Sequence, residues 1–241
     1  MLKKHGVGLH QAVLSKLFAF PKGRILDVGT GKGELATKLI ALGYDVAVCD
    51  IALEPPWTDQ PKIDYKQCDL NLEFPFPDES FDFVVCLEVI EHVENPFALC
   101  RQLKRILRRR GRAIVSTPNI LNIKSRVRFL LEGNYEFFKY PPIEWEQDGA
   151  GANVHVNPIR LHEMEYYFYK SGFEVEEIFT SQRSYGWRLM FPLELFVRFQ
   201  TLHKIKRSQR PGEIPLARIY SHILTDDLMY GEHLIACVLK P

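Results

Sequence analysis

A glycine-rich turn between a predicted strand and a predicted helix holds the first residues with chemical potential. The segment Asp27-Val28-Gly29-Thr30-Gly31-Lys32-Gly33 follows the apolar pair Ile25-Leu26. Glycines let a backbone approach a ligand closely, and the N-terminus of the following helix offers free N–H groups. The dinucleotide fingerprint G-x-G-x-x-G would need glycine at position 34, where this chain has Glu34. The spacing therefore favours a nucleotide-like cofactor and argues against a nicotinamide dehydrogenase.

Two further acids end the next predicted strands. Asp50 ends the second strand, and in a doubly wound sheet a carboxylate there faces a ribose and can accept hydrogen bonds from its hydroxyls. Asp69 ends the third strand and could accept from an adenine amino group. Both acids could also be solvated residues at strand ends.

The segment Leu87-Glu88-Val89-Ile90-Glu91-His92-Val93 offers a second set of polar side chains. On one helical turn, Glu88, Glu91 and His92 would share a face. With His155 they could bind a divalent ion, for which oxygen-rich ligands favour Mg²⁺ or Mn²⁺. Two alternatives stay open: an acid/base role for His92 or His155 without a metal, and a structural role in the pocket wall.

The elements that must position these residues alternate between strands and helices, which predicts an α/β fold with a doubly wound, mostly parallel sheet. Asn95-Pro96 opens one helix and Asn157-Pro158 another, because asparagine caps a helix and proline suits its first turn. The predicted strands cover residues 24–28, 45–49, 63–67, 81–87, 112–116, 173–179 and 233–239, and the predicted helices cover 7–19, 33–42, 96–108, 122–132 and 158–171.

The 241 residues are predicted to form one domain, 1–241, with two additions. Residues 134–153 are rich in aromatic side chains and suggest a lid-like loop. Residues 184–231 exceed a normal connection and suggest a helical insertion before the last strand. Within residues 187–210 an apolar run precedes Lys204, Lys206, Arg207 and Arg210, which fits a peripheral membrane contact, a lid helix or a dimer contact.

The net charge and the distribution of apolar residues limit the kinds of partner and the location that we expect for this protein. The net charge is +1, so no overall electrostatic attraction to nucleic acid is expected. We find neither a signal peptide nor a stretch of roughly 18 apolar residues. These features predict a cytoplasmic protein, with peripheral membrane contact through 187–210 as the alternative.

Five segments together resemble the motifs of class I S-adenosylmethionine-dependent methyltransferases, of the type 11 and type 23 families that include ubiquinone-pathway O-methyltransferases. The resemblance covers about residues 20–180. It is specific as a set, because the order and spacing match as well as the residues. The segments are Ile25–Gly33, Val48–Ile51, Cys68-Asp69-Leu70, Phe81–Val93 and Ser116–Asn119.

The resemblance implies a seven-stranded sheet of order 3-2-1-4-5-7-6 with the seventh strand antiparallel. It implies that the glycine loop contacts the methionine end of S-adenosylmethionine, that Asp50 holds the ribose and that Asp69 lies by the adenine. The implied cofactor residues are Asp27, Gly29, Thr30, Gly31, Gly33, Asp50, Ile51, Asp69, Leu70 and Leu87.

The function expected from this set is methylation of a hydroxyl on a small or lipid-linked acceptor, with His92, His155 and Glu91 as catalytic candidates. A metal-dependent RNA 2′-O-methyltransferase is an alternative, because such enzymes resemble this chain at Thr117–Asn119 and His155. A non-catalytic module that binds the cofactor is another.

Overall fold

The computed structural model of the protein describes residues 5–52, 63–138, 155–184, 186, 191–207 and 216–241. Seven strands form one sheet of order β3-β2-β1-β4-β5-β7-β6, in which β7 is antiparallel to both of its neighbours. The strands are β1 (Arg24–Val28), β2 (Asp45–Asp50), β3 (Asp64–Gln67), β4 (Phe81–Leu87), β5 (Leu107–Pro118), β6 (Glu174–Phe179) and β7 (His233–Leu239). The implied strand order and the antiparallel seventh strand are confirmed.

Eight helices are assigned in the described part of the chain: α1 (His5–Leu17), α2 (Glu34–Ala41), α3 (Pro96–Ile106), α4 (Ile123–Glu132), α5 (Leu161–Lys170), α6 (Phe191–Arg207), α7 (Leu216–Ile223) and α8 (Asp226–Tyr230). The last three lie between β6 and β7, so the helical insertion before the last strand is confirmed. The predicted lid, 134–153, lies outside the described residues from position 139 onward.

Both faces of the sheet are covered, because successive side chains of a strand point to opposite faces. Ile25 of β1 packs with α1 and α2, in a cluster that includes Val13 and Leu39. Leu26 packs on the other side, in a cluster with α3 and α5 that includes Leu103 and Phe168. The central strands are therefore buried on both faces, as their continuous apolar runs predict.

One helix start was predicted wrongly. The helix expected after Asn157-Pro158 begins at Leu161. The Asn157 side chain does not cap it, because its amide donates to the carbonyl of Val93 at 2.6 Å. Instead, the Glu163 carboxylate accepts from the Arg160 N–H at 2.9 Å and satisfies one of the free donors of the first turn.

The fifth strand is longer than the predicted 112–116. It starts at Leu107, which pairs with Phe81 across an irregularity in the register with β4. Arg110 has a φ of 60°, in the left-handed region.

No helix of the described residues is both long enough and apolar enough to cross a bilayer.

Candidate active site

The glycine loop bends sharply over the end of β1. Gly29, Gly31 and Gly33 have φ values of 67°, 52° and 71°. L-residues with side chains rarely adopt such angles. A Cβ on Gly29 would lie 2.5 Å from Cγ2 of Val89, whereas one on Gly31 would meet no atom within 4 Å. The loop thus presses against the segment after β4 at Gly29 and leaves open space at Gly31.

Hydrogen bonds tie the loop to the neighbouring strand. The N–H groups of Gly29 and Thr30 donate to the carbonyl of Cys49 at 2.9 and 3.2 Å. Gly33 is the N-cap of α2, so it shapes the turn but lines neither of the cavities beside it. Hydrogen bonds to β2 therefore hold the backbone of the loop at Gly29 and Thr30.

Asp27 lies buried beneath the loop. Its Oδ2 accepts from the Thr30 hydroxyl at 2.8 Å. Burial raises the pKa of this carboxyl from 3.8 to about 7, and the hydrogen bond from Thr30 only partly offsets that rise. Asp27 thus serves the loop and also borders a cavity.

Asp50 ends β2, as predicted, whereas β3 ends at Gln67 and Asp69 lies two residues beyond it; both acids border the same cavity. Asp50 Oδ2 accepts from the Gly31 N–H at 2.8 Å, and its Oδ1 accepts from the Ala52 N–H at 3.3 Å. Asp69 Oδ1 accepts from the Asn71 N–H at 2.9 Å. Each carboxylate is oriented by backbone donors while staying at the edge of open space.

Two cavities of about 330 Å³ each flank the loop. This is the lower end of the size range of small-molecule sites. One is lined by Gly29, Gly31, Asp50, Ile51, Asp69, Leu70, Asn71, Glu88, Val89, His92 and Val93. The other is lined by His10, Asp27, Gly29, Thr30, Lys32, Glu34, Leu35 and Leu87. Of the ten implied cofactor residues, all but Gly33 border one of the two cavities.

The chemistry of these cavities fits a nucleoside bearing an amino-acid tail. The first has carboxylates that can accept from ribose hydroxyls and from an adenine amino group, with apolar Leu70 and Val93 beside them. The second has both cationic and anionic side chains, Lys32 and Glu34 among them, that could pair with an amino-acid carboxylate and ammonium. Sulfonium-bearing S-adenosylmethionine has these parts.

The prediction that Glu88, Glu91 and His92 share one face of a helical turn is wrong. Residues 88–95 form turns and bends, and Glu88 has a φ of 54°, in the left-handed region. With this backbone reversal, Glu88 is not in the group of Glu91, His92 and His155 whose ligand atoms lie within 4.8 Å of one another.

Glu88 is held by β5 and faces β7. Its Oε1 accepts from the Ser116 hydroxyl at 2.7 Å, and that hydroxyl accepts from the Glu88 N–H at 3.0 Å. Its Oε2 lies 3.8 Å from Nε2 of His233. Desolvation in the pocket wall raises the pKa of Glu88 to about 7.

Glu91 is buried next to two histidines. Neither carboxylate oxygen has a hydrogen-bond partner of good geometry among the described residues, although the Thr117 hydroxyl lies near enough to favour the charged form. Oε1 lies 3.9 Å from Nε2 of His155, and the His92 and His155 rings are 4.7 Å apart with their planes at 72°. One ligand atom from each of the three residues lies within 4.8 Å of the others.

The environment of Glu91 disfavours its charge. Burial, and then the nearby Glu88 carboxylate, raise the pKa of Glu91 well above its usual value. The carbonyl of Glu91 accepts from the N–H groups of Val156 and Asn157, both at 3.0 Å, which fixes the chain next to His155 against it. The site therefore brings together a carboxyl and two imidazoles, and the Glu91 carboxyl keeps its proton unless an imidazolium or a cation compensates its charge.

Sequence reasoning missed His233 and His10. His233 begins β7, opposite Pro118 at the end of β5. Because β7 runs antiparallel, its first residue lies at the carboxyl ends of the parallel strands, and that inference was available from the implied topology. His10 lies on α1, whose contact with the glycine loop has no local signature in the sequence.

The Thr-Pro-Asn turn has a structural task. The Asn119 amide donates to the carbonyls of Leu228 and Gly231 at 3.1 and 3.0 Å, and its Oδ1 accepts from the Leu121 N–H at 3.0 Å. This turn therefore joins the end of β5 to α8 of the insertion.

Comparison with solved structures defines the class of protein. One similar structure is that of an S-adenosylmethionine-dependent methyltransferase from Archaeoglobus fulgidus, with a TM-score of 0.58 and 16% identity. The match covers 96% of this chain and 93% of that one. A second such enzyme, from Mesorhizobium loti, gives a TM-score of 0.56 and 16% identity, covering 98% of this chain and 99% of that one. At these identities the likeness shows the fold, which is that of class I methyltransferases.

The family follows from sequence. The family model described as a methyltransferase domain matches residues 8–178, so the chain belongs to this family, the type 23 class I S-adenosylmethionine-dependent methyltransferases. A ubiquinone biosynthesis O-methyltransferase from Aliivibrio fischeri is 31% identical over 49% of this chain and 53% of that protein. One from Rickettsia conorii is 39% identical over 41% and 36%. The chain thus spans about half or less of the length of these curated relatives.

Proposed function

We propose that this protein transfers the methyl group of S-adenosylmethionine to a hydroxyl oxygen of a small or lipid-linked acceptor. The observation that carries the proposal is the buried Glu91, which stands with His92 and His155 beside the cavity that would hold the cofactor. The O-methyltransferase names of the relatives support oxygen as the acceptor atom.

A hydroxyl acceptor explains why this group is needed. A neutral hydroxyl is a weak nucleophile. A methyltransferase acting on it therefore gains from a group that removes the hydroxyl proton or that stabilises the deprotonated oxygen. His92 borders the cofactor cavity, and the His155 ring lies against it. Either imidazole could accept the proton, and Glu91 could stabilise the imidazolium that forms.

The same three residues also fit a divalent cation. A buried carboxylate and two imidazoles, with one ligand atom from each within 4.8 Å of the others, form a mixed oxygen and nitrogen donor set. Glu91, His92 and His155 would hold the ion, and Glu88 would stand outside this set. A cation such as Mg²⁺ would supply positive charge that stabilises the deprotonated acceptor hydroxyl.

The experiment offers the purified protein three acceptors that share one aromatic ring and carry a phenolic hydroxyl, an amine or a thiol. Release of S-adenosylhomocysteine is measured for each acceptor. We expect turnover with the hydroxyl compound and at least tenfold less with the other two. Preference for the amine or thiol would refute O-methylation, and no turnover despite tight cofactor binding would support a non-catalytic module.

Two further arms of the experiment test the role of His155 and the need for a cation. His155→Asn is compared with His162→Asn, a matched change at an exposed histidine of α5. We expect the first to lose at least a hundredfold in kcat/KM and the second to stay within twofold. Loss of wild-type activity on dialysis against EDTA, with recovery on addition of Mg²⁺, would support the cation; full activity after EDTA would support proton transfer without a metal.

A short RNA with a free 3′ end is included as a fourth acceptor. RNA methylation is not favoured by the structure of the Thr117–Asn119 segment, since Asn119 is used to hold the insertion. Methylation of RNA in preference to the phenolic acceptor would overturn the proposal.

A further inference from the structure

Helix α6 carries a row of large apolar side chains that face solvent. Phe191, Leu195, Phe196, Phe199 and Leu202 are each between 50% and 67% exposed. Four of them are at positions i, i+4, i+8 and i+11, which fall within an arc of roughly 80° on a helix of 3.6 residues per turn. We call these five residues the outer stripe. Single exposed apolar residues are ordinary, but a continuous row of five marks an interaction surface.

The opposite face of α6 anchors the helix to the protein. Leu193 and Val197 pack on a small cluster formed by Ile123, Met229 and Tyr230. Glu194 accepts from the Tyr230 hydroxyl and, at 2.7 Å, from Arg198. Packing on the domain thus accounts for the inner face of α6. It does not account for the outer stripe. Exposing these apolar side chains to water costs free energy that polar side chains would not cost.

A strong local charge bias accompanies the stripe. Between Glu194 and Glu213 the sequence has no acidic residue and carries Arg198, Lys204, Lys206, Arg207 and Arg210. Arg198 is used by ion pairs with Glu194 and Asp226, and Lys204 is exposed. The whole chain has a net charge of only +1, so this run is a concentrated excess of positive charge in the sequence that begins within α6 and follows the stripe.

A second apolar group lies at the end of α4, which packs on the same small cluster through Val127. Leu130 and Leu131 in its last turn are 78% and 76% exposed, and Phe129 precedes them. Helices α4 and α6 therefore meet at one cluster, and each leaves apolar side chains in solvent.

We propose that the outer stripe of α6 docks the protein on an anionic lipid surface, with Lys204 and the basic residues that follow it in the sequence supplying attraction to the headgroups. Apolar side chains on one face of a helix that is followed by cations match the two contributions to interfacial binding, which are burial at the acyl boundary and attraction to negative lipids. A second copy of the chain would bury the stripe but leave this positive charge uncompensated. The proposal does not depend on which acceptor is methylated.

The test is flotation of the full chain with vesicles of pure phosphatidylcholine and with vesicles that contain about 30% phosphatidylglycerol. We expect binding to the anionic vesicles that is at least tenfold stronger than to the neutral ones and that weakens as salt is raised. Phe196→Ser combined with Phe199→Ser should reduce that binding at least tenfold. Phe18→Ser is the matched control, because Phe18 is 59% exposed and directly follows α1, outside the outer stripe. It should bind as the wild type does.

Cofactor affinity and the unfolding midpoint of each variant show that it is folded. Equal vesicle binding by wild type and the double variant would overturn the proposal. So would binding that is the same for neutral and anionic vesicles. A dimer of the wild type in light scattering, lost in the double variant and unaffected by vesicles, would assign the stripe to a second copy and also overturn it.

Discussion

The two sides of the active-site edge differ in how their acids are satisfied. On the donor side, next to β1, β2 and β3, Asp27, Asp50 and Asp69 each accept a hydrogen bond from the loop or turn beside them. On the acceptor side, after β4, the Glu91 carboxylate is buried without one of good geometry in the described residues. Burial without partners costs free energy, and such a group persists where function requires it.

The acids of the donor side are thus oriented by backbone or hydroxyl donors of the protein, whereas Glu91 stands beside two imidazoles. A proton, an imidazolium or a cation would satisfy Glu91. The two sides touch where Gly29 packs against Val89. Changes on either side, and at the contact between them, therefore have separable consequences.

The largest effect is expected on the acceptor side. Glu91→Gln removes the charge that can stabilise an imidazolium or a cation, so we expect kcat/KM to fall by roughly 10²–10⁴, while affinity for S-adenosylmethionine stays within twofold. Steady-state kinetics and calorimetry measure the two. Glu94→Gln, the same change at an exposed residue in the same segment, is the control and should leave both unchanged. Retention of full activity by Glu91→Gln would remove Glu91 from the mechanism.

The next effect concerns Asp27 on the donor side. Its pKa is raised by burial to about 7, so between about pH 4 and pH 7 the folded protein keeps a proton that the unfolded chain has lost. Stability from this group is therefore present at low pH and is lost as the pH rises to about 7. Asp27→Asn keeps an acceptor for the Thr30 hydroxyl but does not titrate.

We expect the free energy of unfolding of the wild type, relative to Asp27→Asn, to fall by about 3 kcal/mol between pH 5 and pH 8. Urea denaturation at a series of pH values measures this difference. Parallel curves for the two proteins would show that Asp27 has an ordinary pKa.

The third effect concerns the contact between the two sides. Gly29→Ala must adopt a positive φ and displace Val89, so we expect a loss of about 3 kcal/mol in stability together with weaker cofactor binding. Gly133→Ala has a similar φ, 69°, but no atom within 4 Å of the new Cβ, so it should cost about 1 kcal/mol and leave cofactor affinity unchanged. Thermal or urea unfolding compares the two variants. Equal losses would mean that Val89 gives way freely.

Much of the donor side could be predicted from the sequence because its signals are local. Apolar runs predict the buried strands, the glycine spacing predicts the loop, and the end of each strand places its acid. Position alone put Asp50 at the edge of the cavity, and the structure adds that the Gly31 N–H orients it.

The acceptor side could not be predicted to the same depth, because it depends on one backbone angle and on distant segments. The spacing of Glu88 and Glu91 suggests a shared helical face, but the positive φ of Glu88 separates them. His155 and His233 come from segments far along the chain. Their distances from the two glutamates depend on the packing of the whole sheet.

The most direct test of the account is calorimetric titration of S-adenosylmethionine into wild type, Asp50→Ala and Glu91→Gln. Asp50 is on the donor side and Glu91 on the acceptor side. We expect Asp50→Ala to weaken binding at least tenfold and Glu91→Gln to bind within twofold of the wild type. Unchanged affinity in Asp50→Ala, or an equal loss in both variants, would contradict the division of the site into a donor side and an acceptor side.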